Sequence, residues 1–198
     1  MKFFISLILL ICFILPSHAG VIIGNYYAGG GGDSCSTDDV ILGSSTSTTD
    51  ELVNTNIVTS KYTATCSGNV ASIIVRAKFV DGDMKAAIYT DTGTDPDLLV
   101  TDSAIELLAV DQAGEGDVTF TYGGSKPAIV KDTVYWVVVQ SDDTPNWGYF
   151  GIAQDAGTDV VKYAKDYGDA MPADFDAQGY GKFIVTDIDS LRIRLIAE

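Results

Sequence analysis

Val-Ala-Ser-Ile-Ile-Val-Arg-Ala-Lys-Phe-Val at positions 70 to 80, followed by Asp81-Gly82-Asp83 and then by Met-Lys-Ala-Ala-Ile-Tyr-Thr at positions 84 to 90, is the stretch that sets the fold class. Its periodicity is close to two, the mark of strands that bury one face. An Asp-Gly pair between two such runs is a strong hairpin signal, so the two runs are expected to fold back on each other. Working outward, further strands are expected at Leu98 to Thr101, Ile105 to Val110, Val118 to Tyr122, Thr133 to Gln140, Tyr149 to Ala153, Val160 to Ala164, Lys182 to Thr186 and Leu191 to Ile196. The last alternates cleanly, with Leu191, Ile193 and Leu195 on one face and Arg192 and Arg194 on the other. Short strands at regular spacing, with few long helical patterns, predict an all-β fold of two antiparallel sheets packed as a β-sandwich, jelly-roll-like.

The chain begins differently. Lys2 supplies a positive start, Phe3 to Leu15 form an apolar run, and Ser17-His18-Ala19 gives the small-x-small pattern cut by a signal peptidase. The run is shorter than the roughly 20 residues a membrane-crossing helix needs. Lipidation at Cys12 is disfavoured by bulky Ile11 and by apolar sequence continuing past the cysteine. Residues 1–19 therefore read as a signal peptide, and the mature protein as secreted, extracellular or held at the cell surface, with no membrane insertion after cleavage.

Residues 20–55 read as an N-terminal strand plus connector. Val21-Ile22-Ile23 and Tyr26-Tyr27 are strand-like, Gly29 to Gly32 interrupt, and Ser44 to Thr49 are all small hydroxyl residues. Four consecutive glycines add nothing to a core and cost the most entropy to order. Two readings of Val21 to Tyr27 stay open: an edge strand of its own sheet, or a donor strand inserted into a neighbouring subunit. Residues 56–198 read as the sandwich domain.

Composition excludes more chemistry than it suggests. The chain has one histidine, His18, and three cysteines, so the mature part keeps no histidine and only Cys35 and Cys66. No Ser-His-Asp set, Cys-His pair or His-bearing metal site can be assembled from it. In an oxidising compartment Cys35 and Cys66 are expected to form a disulfide. Gly29 to Gly32 lacks the Lys-Ser/Thr of a phosphate loop. With Lys2 removed, 11 basic residues face 27 acidic ones, a balance that repels nucleic acid and anionic headgroups. A carboxylate pair of the glycosidase type is the one catalytic scheme the composition permits, and with 27 acids such a pair arises by chance; the chain is read as not an enzyme.

Two clusters invite ligand readings. Asp91, Asp95 and Asp97 offer several oxygens from one loop, as a structural calcium would require, but Gly93 and Pro96 do not fit an EF-hand, and the alternative is a turn in which Asp side chains cap backbone N–H groups. No cofactor is expected beyond this structural calcium. Asp166, Asp169, Asp174 and Asp176 form a second acidic cluster read the same two ways. Trp136, between Val134 and Val138, is expected in the core with its indole N–H on a backbone acceptor. Trp147 follows Asp142-Asp143-Thr144-Pro145-Asn146 and precedes Gly148-Tyr149. There an aromatic plane could stack on a sugar while Asn146, Asp142 and Asp143 bond its hydroxyls, or Trp147 could fold back over the end of the sandwich.

Ala87-Ile88-Tyr89-Thr90-Asp91, the turn Thr92-Gly93-Thr94-Asp95-Pro96-Asp97, the following Leu98-Leu99 and, after Lys126-Pro127, the strand Thr133 to Val139 together resemble jelly-roll or galactose-binding-like sandwiches of secreted and surface-exposed bacterial or phage-associated proteins. The resemblance spans Tyr62 to Asp143 and implies an accessory, binding or structural module. The expected function is a binding or adhesion module for extracellular glycan or surface polymer. The alternative is a self-assembling subunit of an extracellular filament or matrix.

Overall fold

A computed structural model describes residues 34–43, 49–53, 57–78, 80–142, 148–153, 160–163, 170–180, 182–184, 190–191 and 193–198. The described strands are β1 (Val40–Gly43), β2 (Thr49–Val53), β3 (Ile57–Thr63), β4 (Gly68–Lys78), β5 (Val80–Asp91), β6 (Pro96–Leu99), β7 (Ile105–Gln112), β8 (Gly116–Thr121), β9 (Ala128–Ile129), β10 (Val134–Ser141), β11 (Gly148–Ala153), β12 (Val160–Tyr163), β13 (Lys182–Ile184), β14 (Ser190–Leu191) and β15 (Ile193–Ala197). They form two antiparallel sheets, the β-sandwich expected from the period-two pattern. In the first, β4 is central: β15 joins it to β1, β8 and β9 also pair with it, and β11 links it to β2 and β14. In the second the order is β13-β12-β3-β10-β5, with both β6 and β7 on β5.

The expected hairpin is corrected. β4 and β5 belong to different sheets, with β4 ending at Lys78 and β5 already paired at Val80 to Gln112 of β7. The chain turns a corner from sheet to sheet between them. Asp81-Gly82-Asp83 lies inside β5, where the register slips: Gly82 faces Val110 but Met84 faces Leu107. β7 thus carries an extra residue, a bulge, and Ala109 takes φ 52° there. Its N–H, lost to the ladder, donates to Asp83 Oδ1 at 2.8 Å. A Cβ at position 82 would run into the Asp142 carboxylate. The turn chemistry read from Asp-Gly-Asp is real, and the bulge uses it in place of a hairpin.

The core between the sheets takes Ile73 and Val75 from β4, Phe120 from β8 and Leu195 from β15 against Ile88, Val137 and Val139. Each fully buried side chain of this size contributes about 1.5 to 3 kcal/mol. A second apolar layer covers the other face of β10. Trp136, Val138, Tyr89, Ala87 and Ile57 are fully buried there with Phe175, which explains why Tyr135 to Ser141 is buried at every position rather than at alternate ones. Part of the cover is the segment at 171–180. Ala173 O accepts from Leu99 N at 2.9 Å, Phe175 N donates to Asp97 O at 2.8 Å, and Tyr89 Oη donates to Pro172 O at 2.9 Å. The Phe175 ring meets Tyr89 and Tyr180 edge-on, at 5.2 and 5.3 Å between centroids.

The outer face of the first sheet is polar instead. Arg76 Nε bonds Glu115 at 2.9 Å, and Asp117 bridges Arg76 Nη1 at 3.2 Å and Arg194 Nη2 at 2.7 Å, which raises the Arg76 pKa, chiefly through its bond to Glu115. Such half-exposed pairs add little stability each.

Cys35 and Cys66 form the expected disulfide, with 5.3 Å between Cα atoms, compatible with an oxidising, extracellular location. Cys35 N also donates to Ser67 O at 2.9 Å. β1 and β2 fall within the span read from sequence as connector, and Ile41 and Leu42 of β1 are buried in the core. Residues 1–19 and Val21 to Tyr27 lie outside the described residues.

Candidate functional site

Antiparallel pairing gives the sandwich two poles. β4 runs from Gly68 to Lys78, and its partners fix the ends: Val70 pairs with Ala197, Ala77 with Gly116, and Lys78 with Tyr149. In the second sheet Thr90 pairs with Tyr135 and Met84 with Ser141. One pole therefore gathers the disulfide, residues 34–39, the 91–97 turn, residues 121–133 and Glu198. The other gathers Lys78, Val80, the 112–116 turn, Asp142 and the start of β11.

The far pole receives Asp142 and Tyr149 of the glycan candidates. Asp142 follows β10 directly, and two bonds to one residue hold it: its Oδ1 accepts from Asp83 N at 2.5 Å and its N–H donates to Asp83 O at 3.0 Å. The chain leaving the second sheet toward position 143 is thus fixed in place. It reappears six residues later as β11, where Tyr149 sits opposite both Lys78 of β4 and Leu52 of β2. Asp143, Asn146 and Trp147 lie outside the described residues, on the connection between these two anchored points.

The disulfide pole receives the calcium candidates Asp91, Asp95 and Asp97. Asp91 Oδ1 accepts from Trp136 Nε1 at 2.7 Å. The indole is buried as expected, but its acceptor is this carboxylate and not a backbone carbonyl. The Asp95 carboxylate accepts from Thr94 Oγ1 at 2.9 Å, while its carbonyl accepts from Thr92 N at 3.1 Å. Asp97 Oδ2 accepts from Thr90 Oγ1 at 3.3 Å, and its carbonyl from Phe175 N. Among the described residues no group of three or more His, Cys, Asp or Glu side chains is arranged to hold a metal. The carboxylates of Asp91, Asp95 and Asp97 thus each accept from a side chain, an indole or a threonine hydroxyl, and not from the backbone N–H groups of the turn-capping alternative. Asp174 does cap a backbone N–H, its Oδ1 accepting from Ala177 N at 2.9 Å beside the 3-10 turn Asp176–Gln178; Asp166 and Asp169 lie outside the described residues.

Sequence reasoning missed two participants at this pole. Lys61 pairs with Trp136 across β3 and β10, its Nζ 5.4 Å from the indole centroid and donating to Gly93 O at 3.1 Å. A lysine opposite the tryptophan was legible only once the register was known. Ser103, fully buried, both accepts from Ile88 N at 3.1 Å and donates to Ile88 O at 2.9 Å, standing in for a missing strand. Its carbonyl takes the Tyr122 hydroxyl at 2.6 Å. Burial pushes the Tyr122 and Tyr89 phenols far above their ordinary value. Lys126, bonded to Glu198, holds that carboxyl below its usual range.

No protein-family model, no curated protein and no solved structure matches this chain.

Proposed function

We propose that this chain is a secreted, non-catalytic sandwich module that binds extracellular glycan or surface polymer, of the jelly-roll or galactose-binding-like kind its strand and turn pattern resembles. The contact is made at the far pole by the connection Asp142 to Tyr149. The observation that supports this reading most is the anchoring of Asp142 to Asp83. Together with the pairing of β11 it fixes Asp142 and Tyr149, the two described members of the contact, and groups already ordered lose less entropy on binding. Trp147 and Tyr149 supply planes for the apolar faces of sugar rings, and Asn146 and Asp143 bond hydroxyls. Structural calcium at Asp91, Asp95 and Asp97, on the opposite pole, is a separate part of the proposal, and a melting temperature unchanged between millimolar calcium and chelator would remove it.

The test is a panel of polysaccharides and immobilised glycans probed with the mature protein and with Trp147→Ala. Retention of the wild type, loss in the variant and a melting temperature within a few degrees are expected. A variant that binds equally well ends the reading; one that melts far lower puts Trp147 in the fold.

Self-assembly through Val21 to Tyr27 is the second reading; the disulfide ties Cys35, downstream of that segment, to Cys66 just before β4. Deleting Gly20 to Tyr27 would then turn fibres or oligomers into folded monomers. A full-length mature protein that is already monomeric at high concentration would remove it.

A further inference from the structure

The turn between β5 and β6 contains the one Asp-Pro pair of the sequence, Asp95-Pro96, and a single residue grips its carbonyl. Thr92 N and Thr92 Oγ1 both donate to Asp95 O, each at 3.1 Å, while Asp95 N donates to Thr92 Oγ1 at 3.2 Å. A hydroxyl has one proton to give and lone pairs with which to accept, so Thr92 Oγ1 makes both bonds at once. Thr92, Gly93 and Thr94 are exposed, Asp95 is half-buried, and Pro96, the first residue of β6, is buried. Two donors thus polarise this carbonyl in a turn open to water, and the nitrogen beyond it is fixed in a strand.

We propose that the Asp95–Pro96 peptide bond is a self-cleavage site, with the Asp95 carboxylate as nucleophile and Thr92 as the donor pair on the carbonyl. An aspartate carboxylate reaches its own carbonyl carbon by closing a small ring, an attack that needs no encounter with a second molecule. As a carboxylate oxygen bonds to that carbon, the negative charge that develops on Asp95 O falls on Thr92 N–H and Oγ1–H. The C–N bond to Pro96 then breaks. The leaving nitrogen belongs to a tertiary amide with no N–H of its own, and it departs as a secondary amine that takes a proton from solvent. Asp95 is left as a cyclic anhydride, which water opens to two carboxyl groups. The balance is one peptide bond and one water consumed, one amine and one carboxylic acid formed.

The break does not release the two pieces. β5, before it, pairs with β10, after it, from Met84 to Thr90, and Ile88 of the first packs in the same core as Val137 and Val139 of the second. Leu98 N also donates to Thr90 Oγ1 at 3.1 Å across the cut. Cys35 and Cys66 both precede the bond, so the disulfide does not join the pieces. The cleaved protein therefore stays one body in native buffer and separates in denaturant.

The test follows the intact mass of the mature protein in metal-free buffer at one fixed, mildly acidic pH that supplies the leaving proton. Folded and urea-unfolded wild type are compared with Thr92→Val and Asp95→Ala, both checked by melting temperature. Fragments ending at Asp95 and beginning at Pro96 are expected, formed about tenfold faster in the folded protein, because only the fold aims both donors at the carbonyl. Thr92→Val keeps the N–H and loses the hydroxyl, and should slow the folded rate about fivefold; Asp95→Ala should stop it. A wild type that stays intact, equal rates folded and unfolded, Thr92→Val cleaved as fast as wild type, or Asp95→Ala cut at the same bond overturns the proposal. The comparison of folded with unfolded wild type stands even where a variant fails to fold.

Discussion

The two poles of the sandwich are closed by different means. At the disulfide pole the chain is tied by the Cys35–Cys66 bond, by backbone bonds from Ala197 and Glu198, and by a buried indole set on Asp91. At the far pole side-chain carboxylates do the tying: Asp83 takes the N–H that the β7 bulge orphans, and Asp142 takes that of Asp83. The first set of contacts is covalent or buried and tolerates little change. The second is made by two side-chain carboxylates, each taking one backbone N–H.

That contrast can be broken most forcefully at Trp136. Truncating this fully buried side chain to alanine should cost about 3 to 5 kcal/mol, read by chemical denaturation; a change as small as that expected for Trp147→Ala would erase the difference between the two tryptophans. Next comes the disulfide. The bridge closes a loop with a sequence separation of 31, and Cys35→Ser with Cys66→Ser should cost about 3 to 4 kcal/mol on the chain-entropy account. A double variant as stable as the wild type would mean that the backbone bonds alone hold this pole.

Smaller effects sharpen the far pole. Asp142→Ala leaves the Asp83 N–H without its acceptor, and a loss of about 1 to 3 kcal/mol is expected, with no change in the Tyr122 environment by near-ultraviolet dichroism. The smallest effect is on pH dependence. Tyr122 is neutral and bonded in the fold, with its pKa raised by burial above the ordinary 10.0. The unfolded chain therefore ionises first, so this contribution is complete below pH 10 and is lost as pH rises toward the folded value. Tyr122→Phe should flatten the alkaline decline of stability measured by urea titration; an unchanged slope would show that Tyr122 ionises alike in both states.

Much of the fold was legible because burial on one face writes itself into the sequence at period two. β7, β8 and β15 were found from alternation alone, and the disulfide from the cysteine count and compartment. The pairing of β4 with β5 was misread because Asp-Gly-Asp signals a sharp local change of direction without saying whether a hairpin or a bulge will use it; Gln112 and Val110, about thirty residues on, decided that. β1 escaped because Val40 to Gly43 is too short to show a period, and its burial depends on β15 at the other end of the chain. At the sites, the carboxylate on Trp136 could not be read from spacing, since Asp91 and Trp136 meet only through the β5–β10 register. Local sequence records which residues suit a turn; long-range register decides what that turn then touches.

The central claim is the proposal that glycan or surface polymer is bound at the far pole and not at the disulfide pole. Amide hydrogen exchange on the mature protein, with and without the polysaccharide it retains, tests it most directly. The account predicts slowed exchange in peptides covering 78–84, 110–117 and 142–149, and none at 34–39, 64–69 or 130–133. Protection gained at the disulfide pole, with the far pole unchanged, would contradict it.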